Sequence, residues 1–190
     1  MEGLTDRLMQ EHKLILRYLD FLFEICRSED QKAAGHFLIE KAGLLVGFFR
    51  TYADHFHHRK EENILFAELG QPGVLSQCNP VPQMLHEHEE GRRLLGMLEE
   101  GAHQRRATLC FEGARSFVTL LSEHIEKEDG ILFPMAEKEL SEAQKDRILK
   151  QFTGVDEHEN MGGWQEDRYR VLLDNLYEDG TQAGVFRPRE

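Results

Sequence analysis

What most constrains this chain is where its apolar residues fall, and which polar residues interrupt them. Apolar side chains recur at three and four residue intervals over most of the 190 residues, the pattern of amphipathic helices, and strand-type alternation is hard to find. Leu8, Ile15, Leu19, Leu22 and Cys26 make one stripe; Val46, Phe49, Ala53 and Ile64 a second; Met84, Leu95 and Leu98 a third; Ala114, Phe117, Leu121, Ile131 and Met135 a fourth. Four stripes predict an all-α fold, an up-down-up-down antiparallel four-helix bundle with short C-terminal helices.

Breakers agree with four. Gly70, Pro72 and Gly73, then Asn79, Pro80 and Pro82, end the second helix and start the third. Ser28 with Gln31 reads as a capping box for helix two, and Ser141 with Gln144 as another for a short fifth helix. Gly162 and Gly163 precede a last helix around Trp164 to Leu176. The expected organisation is a bundle over residues 1–140, a helical extension packed on it over 141–178, and a frayed tail over 179–190.

Each inner stripe carries an imidazole. Helix one reads Leu8, His12, Ile15; helix two Ala53, His57, Glu61, Ile64; helix three Met84, His88, Gly91; helix four Leu121, His124, Glu128, Ile131. A lone inward histidine is more often a hydrogen-bonded core residue than a ligand. Four histidines and two glutamates in one apolar core cost several kcal/mol each in desolvation unless a cation compensates them. Ligands at one height in such a bundle lie equally far from the turn between their helices, which places the midpoints near Ala34 and Gly35, near Val74 and near Arg106; with the Ser28 capping box, the first turn is expected anywhere from Ser28 to His36.

Rivals fall on other faces. His58 and Glu62 share i, i+4 spacing, but their frame runs through Thr51, Asp54 and His55, a polar face. His86 lies with Gln83, Glu89, Glu90 and Arg93. His58, Glu62 and His86 are therefore expected behind the ligands or at the surface, and replacing His58 is expected to leave metal binding intact. Asp129 rivals Glu128, His158 beside Glu159 offers a weak contact from the C-terminal segment, and His36, His55 and His103 read as solvated. Imidazole and carboxylate without thiolate suit iron or manganese, with zinc possible, and two carboxylates able to bridge favour a metal pair. The Glu-x-x-His scheme of ferritin-type bundles finds only Glu100 and His103, on a polar face.

Composition narrows the setting. Thirty-five acidic against 23 basic residues give a net charge of -12, which repels polyphosphate backbones, so no nucleic-acid partner is expected. No membrane-length apolar run and no leader-like opening is found, and Cys26, Cys78 and Cys110 form no CxxC pair; a cytoplasmic, reducing location is expected.

The segments EHKLI around His12, HHRKEENILF from His57, EHEEGR around His88 and HIEKEDGILFP from His124 resemble the hemerythrin HHE cation-binding domain over about residues 4–140. The resemblance implies two non-heme iron ions (Fe2+/Fe3+), oxo- or hydroxo-bridged, held by His12, His57, Glu61, His88, His124 and Glu128. An open position would take dioxygen or nitric oxide, and a redox partner protein is a further partner to be expected. Respiratory members carry a second histidine one turn along the third helix. Here Met84 and Arg92 stand one turn from His88. The leading expectation is a protein binding or sensing dioxygen, nitric oxide or related oxidants. The alternatives are a diiron enzyme in nitric oxide or peroxide detoxification or iron-centre repair, and a non-catalytic metal-binding helical module.

Overall fold

The structure, a computed structural model, describes residues 3–75, 79–158 and 163–187, with the backbone alone for 163–165. Cys78, Glu159 and Gly162 lie outside the described residues. The described chain is helical throughout: α1 (Asp6–Arg27), α2 (Gln31–Phe48), α3 (Phe66–Leu69), α4 (Val81–His103), α5 (Ala107–Lys127), α6 (Phe133–Glu139), α7 (Glu142–His158) and α8 (Gly163–Gln182). Three π-helical segments join some of these without a break: π1 (Phe49–His58) and π2 (Glu61–Leu65) carry α2 on to α3, and π3 (Glu128–Leu132) carries α5 on to α6.

The first turn lies at Ser28–Asp30, upstream of the midpoint at Ala34 and Gly35, both of which are inside α2. Asp30, not Ser28, caps α2: its carboxylate accepts from the Lys32 and Ala33 N–H groups, while the Ser28 hydroxyl donates to the Val185 carbonyl. The midpoint rule assumes two straight α-helices of equal rise, and π-helical turns pack more residues into a given length, which moves the midpoint downstream. Val74 and Arg106 do lie in the turns between α3 and α4 and between α4 and α5. At the second box Gln144 Oε1 accepts from the Ser141 N–H, so one half of the capping box forms.

Helices α4 and α5 pack closely because two glycines face the partner backbone. A Cβ at Gly101 would sit 2.7 Å from the Cys110 nitrogen, and one at Gly113 would sit 2.7 Å from the Leu98 nitrogen. The core divides in two around the inner histidines. One part runs from Leu14 and Ile15 through Phe48, Phe49, Leu98 and Phe117 and takes in Leu173 and Leu176 of α8; the other holds Leu4, Leu8, Leu65, Met84 and Leu132 with Ile148 and Phe152 of α7.

Two stripe assignments change by one residue. Ile131 is 54% exposed and Leu132 is buried in its place; Leu65 is fully buried and Ile64 only partly so. The cause is shared: an i→i+5 turn inserts one residue into the helix, so the inward position slips to the next residue.

Candidate metal centre

The expected ligands converge. His12, His57, Glu61, His88, His124 and Glu128 are all buried between the two halves of the core. His58 joins them at 7% exposure. Donor atoms of His12, His57, Glu61 and Glu128 lie within 4.8 Å of one another, and so do those of His58, Glu61, His88 and His124. Glu61 is common to both groups. Its Oε1 is 3.3 Å from His57 Nε2, and its Oε2 is 3.6 Å from His88 Nε2. Glu128 Oε2 faces both sides as well, 3.4 Å from His12 Nε2 and 3.2 Å from His124 Nε2.

His58 overturns the face assignment made from spacing. The polar frame through Thr51, Asp54 and His55 assumes an α-helix, but residues 49–58 are π-helical. The wider turn brings two successive side chains onto the inner side, where the His58 ring stacks on His88 at 3.8 Å. An imidazole thus enters from the second helix, while Arg92, one turn from His88, pairs with Asp54 and Glu62.

A carboxylate behind four of the five rings fixes their orientation. His12 Nδ1 lies 2.8 Å from Asp129, His57 Nδ1 2.8 Å from Glu11, His88 Nδ1 2.7 Å from Glu62 and His124 Nδ1 2.9 Å from Glu87. Each contact crosses from one helix to another. With Nδ1 donating outward, Nε2 is left facing the centre, the tautomer that metal-binding histidines use. His58 Nδ1 is 3.5 Å from Asp54 Oδ1, too far for a good bond. Asp129 therefore turns to His12 while Glu128 turns inward, and Glu62 supports His88 from behind. Cations back the carboxylates in turn: Lys60 on Glu11, Arg92 on Asp54 and Glu62, Lys127 on Glu87.

Spacing pointed to none of Glu11, Asp54 and Glu87 as supports. Their partners are on other helices or across a π-helical turn, so no local pattern marks them. His36, His55, His86, His103 and His158 are exposed.

The donor set fits a bound cation. Both oxygens of Glu61, both of Glu128 and His12 Nε2 are buried without a hydrogen-bond partner, a costly arrangement that a metal pair between them would relieve. Electrostatics agree. Burial alone would lower the His12 pKa, yet its bonds to Asp129 and Glu128 carry it up to about 10. Burial likewise opposes charge on His124, and Glu128 and Glu61 raise it to about 8. Burial would raise the Glu128 carboxyl, but His124 and His12 hold it far below the carboxylate range. The centre therefore attracts positive charge, and a proton and a metal ion compete for the same nitrogens.

The hemerythrin HHE cation binding domain matches residues 3–136. The chain belongs to that family. Among relatives, the "Iron-sulfur cluster repair protein YtfE" of Pectobacterium carotovorum is 33% identical over 88 residues, 42% of this chain and 40% of that protein. The "Iron-sulfur cluster repair protein DnrN" of Neisseria gonorrhoeae is 28% identical over 68% of this chain and 87% of its own length. An uncharacterized protein of Mycobacterium tuberculosis, Rv1995, is 24% identical over 94% of this chain and 69% of its own. The match spans well under half the length of the Pectobacterium relative. No solved structure matches the chain.

Among the described residues, no helix is long and apolar enough to cross a membrane. Cys26 and Cys110 are free and buried, so neither is an exposed thiol.

Proposed function

We propose that this HHE-family chain is a non-heme diiron protein that binds or senses dioxygen, nitric oxide or a related small oxidant. His12, His57, Glu61 and Glu128 would hold one iron and His58, Glu61, His88 and His124 the other, Glu61 belonging to both groups. The carrying observation is the sharing of a buried, otherwise unpartnered Glu61 between two groups of imidazoles. When bound, an iron pair supplies one-electron redox chemistry and a coordination position for a small ligand. The chain's own part is to hold four of the five imidazoles by their outer nitrogens, keep Glu128 ionised, and exclude water with Ile15, Phe49 and Leu121, all buried.

Residues 1–140 are then an up-down-up-down antiparallel four-helix bundle, 141–178 an extension packed on it and 179–190 a tail whose first residues continue α8 to Gln182. The reading places the protein in the cytoplasm, in reach of a redox partner. A second reading, a diiron enzyme in detoxification or iron-centre repair, is favoured by the names of the Pectobacterium and Neisseria relatives.

Metal content and the visible spectrum of the anaerobically reduced protein, before and after air, test both. Two irons per chain with an oxygen-dependent band that reverses on removing oxygen support binding or sensing. Two irons that oxidise irreversibly support the enzyme, and zinc or no metal overturns both. His124→Ala should lose iron and melt at lower temperature, since binding to the folded state adds stability.

A further inference from the structure

A cavity of about 270 Å³ opens beside the paired groups, lined by His58 and His88. Its apolar walls are Phe49, Ala53, Gly91, Leu95, Phe117 and Leu121, from π1, α4 and α5. A diatomic ligand needs far less room, since a water takes about 30 Å³ and an apolar cavity of roughly 150 Å³ already holds benzene. The space is proportioned for an organic molecule.

The charged groups in the lining are already engaged. Arg50 forms a two-pronged pair with Glu99 at 2.8 and 2.6 Å. Arg92 binds Asp54 at 2.8 Å, Glu62 at 2.6 Å and Glu89 at 2.7 Å. Glu87 takes His124, Gln83 and Lys127. A charged ligand would lose its hydration and find no unspent counter-ion. Among the buried side-chain polar atoms of the lining, His58 Nδ1 is the one without a hydrogen-bond partner, 3.5 Å from Asp54 and covered by its neighbours.

We propose that this cavity is a binding site for an uncharged, mostly apolar organic molecule of about ten non-hydrogen atoms carrying one hydrogen-bonding group. The hydrocarbon part fills the space between Phe49, Gly91 and Phe117, and the hydrogen-bonding group lies on the His58 side of the cavity. The inference extends the diiron reading, because it brings an organic compound to the His58 and His88 side of the centre; the binding itself is set by the cavity and is measured apart from the iron.

The test uses the full chain with its metal content determined in the same sample. The probes are 2-phenyl-2-propanol, neutral, and phenylacetate, anionic, each with ten non-hydrogen atoms. Calorimetry should show the alcohol binding and phenylacetate binding at least about tenfold more weakly, a difference set by the missing counter-ion. A Cβ at Gly91 meets only Phe117 at 3.7 Å and Leu120 at 3.9 Å, ordinary contacts. Gly91→Leu therefore has room to enter the cavity and should abolish alcohol binding. If it does not fold, Ala53→Val fills the opposite wall and should weaken binding several-fold. No alcohol binding up to its solubility, equal binding of the anion, or binding unchanged in the filled variant overturns the proposal. Alcohol binding in a sample without iron upholds the cavity and overturns the diiron reading alone.

Discussion

A histidine held at one ring nitrogen has only the other to offer, and that restriction gives this centre its shape. The carboxylates behind His12, His57, His88 and His124 point Nε2 of each ring into the core. His58 makes the most exposed prediction at this scale. His58→Ala should lower iron from two per chain to one and leave the His12 and His57 side loaded, read by elemental analysis; an unchanged count removes His58 from the centre. A second concerns a thiol. Burial pushes Cys26 up to about 11, only partly offset by Arg115. Between pH 7 and 8 it is therefore protonated, and its reactivity should climb only as the pH approaches 11. Iodoacetamide followed by mass spectrometry should find the Cys26 peptide unmodified in the folded protein at pH 7.5 and modified after denaturation.

At the scale of elements, the π-helical segments hold four of the seven candidate positions. π1 carries His57 and His58, π2 starts at Glu61 and π3 at Glu128. Each inserted residue is unfavourable for a helix taken alone and persists because it serves burial and the centre. The close pairing of α4 with α5 is the other device, since it sets His88 and His124 with their Nε2 atoms 3.0 Å apart. Gly113→Ala should be destabilising by about 1–3 kcal/mol, because its methyl meets backbone of Leu98 and Leu94 that cannot swing aside. Urea unfolding measures it, and a loss under about 0.5 kcal/mol would show that α4 and α5 separate easily.

Across the whole molecule, the C-terminal helices are tied to the centre and not merely laid against the bundle. Lys60, fully buried, lies over the Phe56 ring at 3.8 Å and bonds Glu11, which holds His57; Asp156 of α7 bonds the same ammonium at 3.2 Å and pairs with Arg7. From α8, the Tyr169 carbonyl accepts from the Tyr18 hydroxyl at 2.7 Å and Glu166 accepts from that of Tyr52 at 3.0 Å. Asp156→Ala leaves Lys60 with one counter-charge and should cost about 3 kcal/mol, or roughly 6–12 °C in melting temperature for a chain of this size. Calorimetry checks it, and a shift below about 2 °C would make α7 a passive cover.

The sequence by itself determined the helices and the inward placement of six side chains, because both follow from periodicity: His12, His57, Glu61, His88, His124 and Glu128 sit in register with buried Leu8, Ala53, Met84 and Leu121. It also contained the four motif segments that mark the family. Only the tertiary structure decided the place of His58, the exchange of Ile131 for Leu132, and the carboxylates of Glu11, Asp54 and Glu87. The reason is physical. A regular period describes an α-helix of fixed pitch, whereas a π-helical turn is stabilised by what it buries, and a bond such as Glu11 to His57 joins residues that are neighbours only once α1 and π1 pack together.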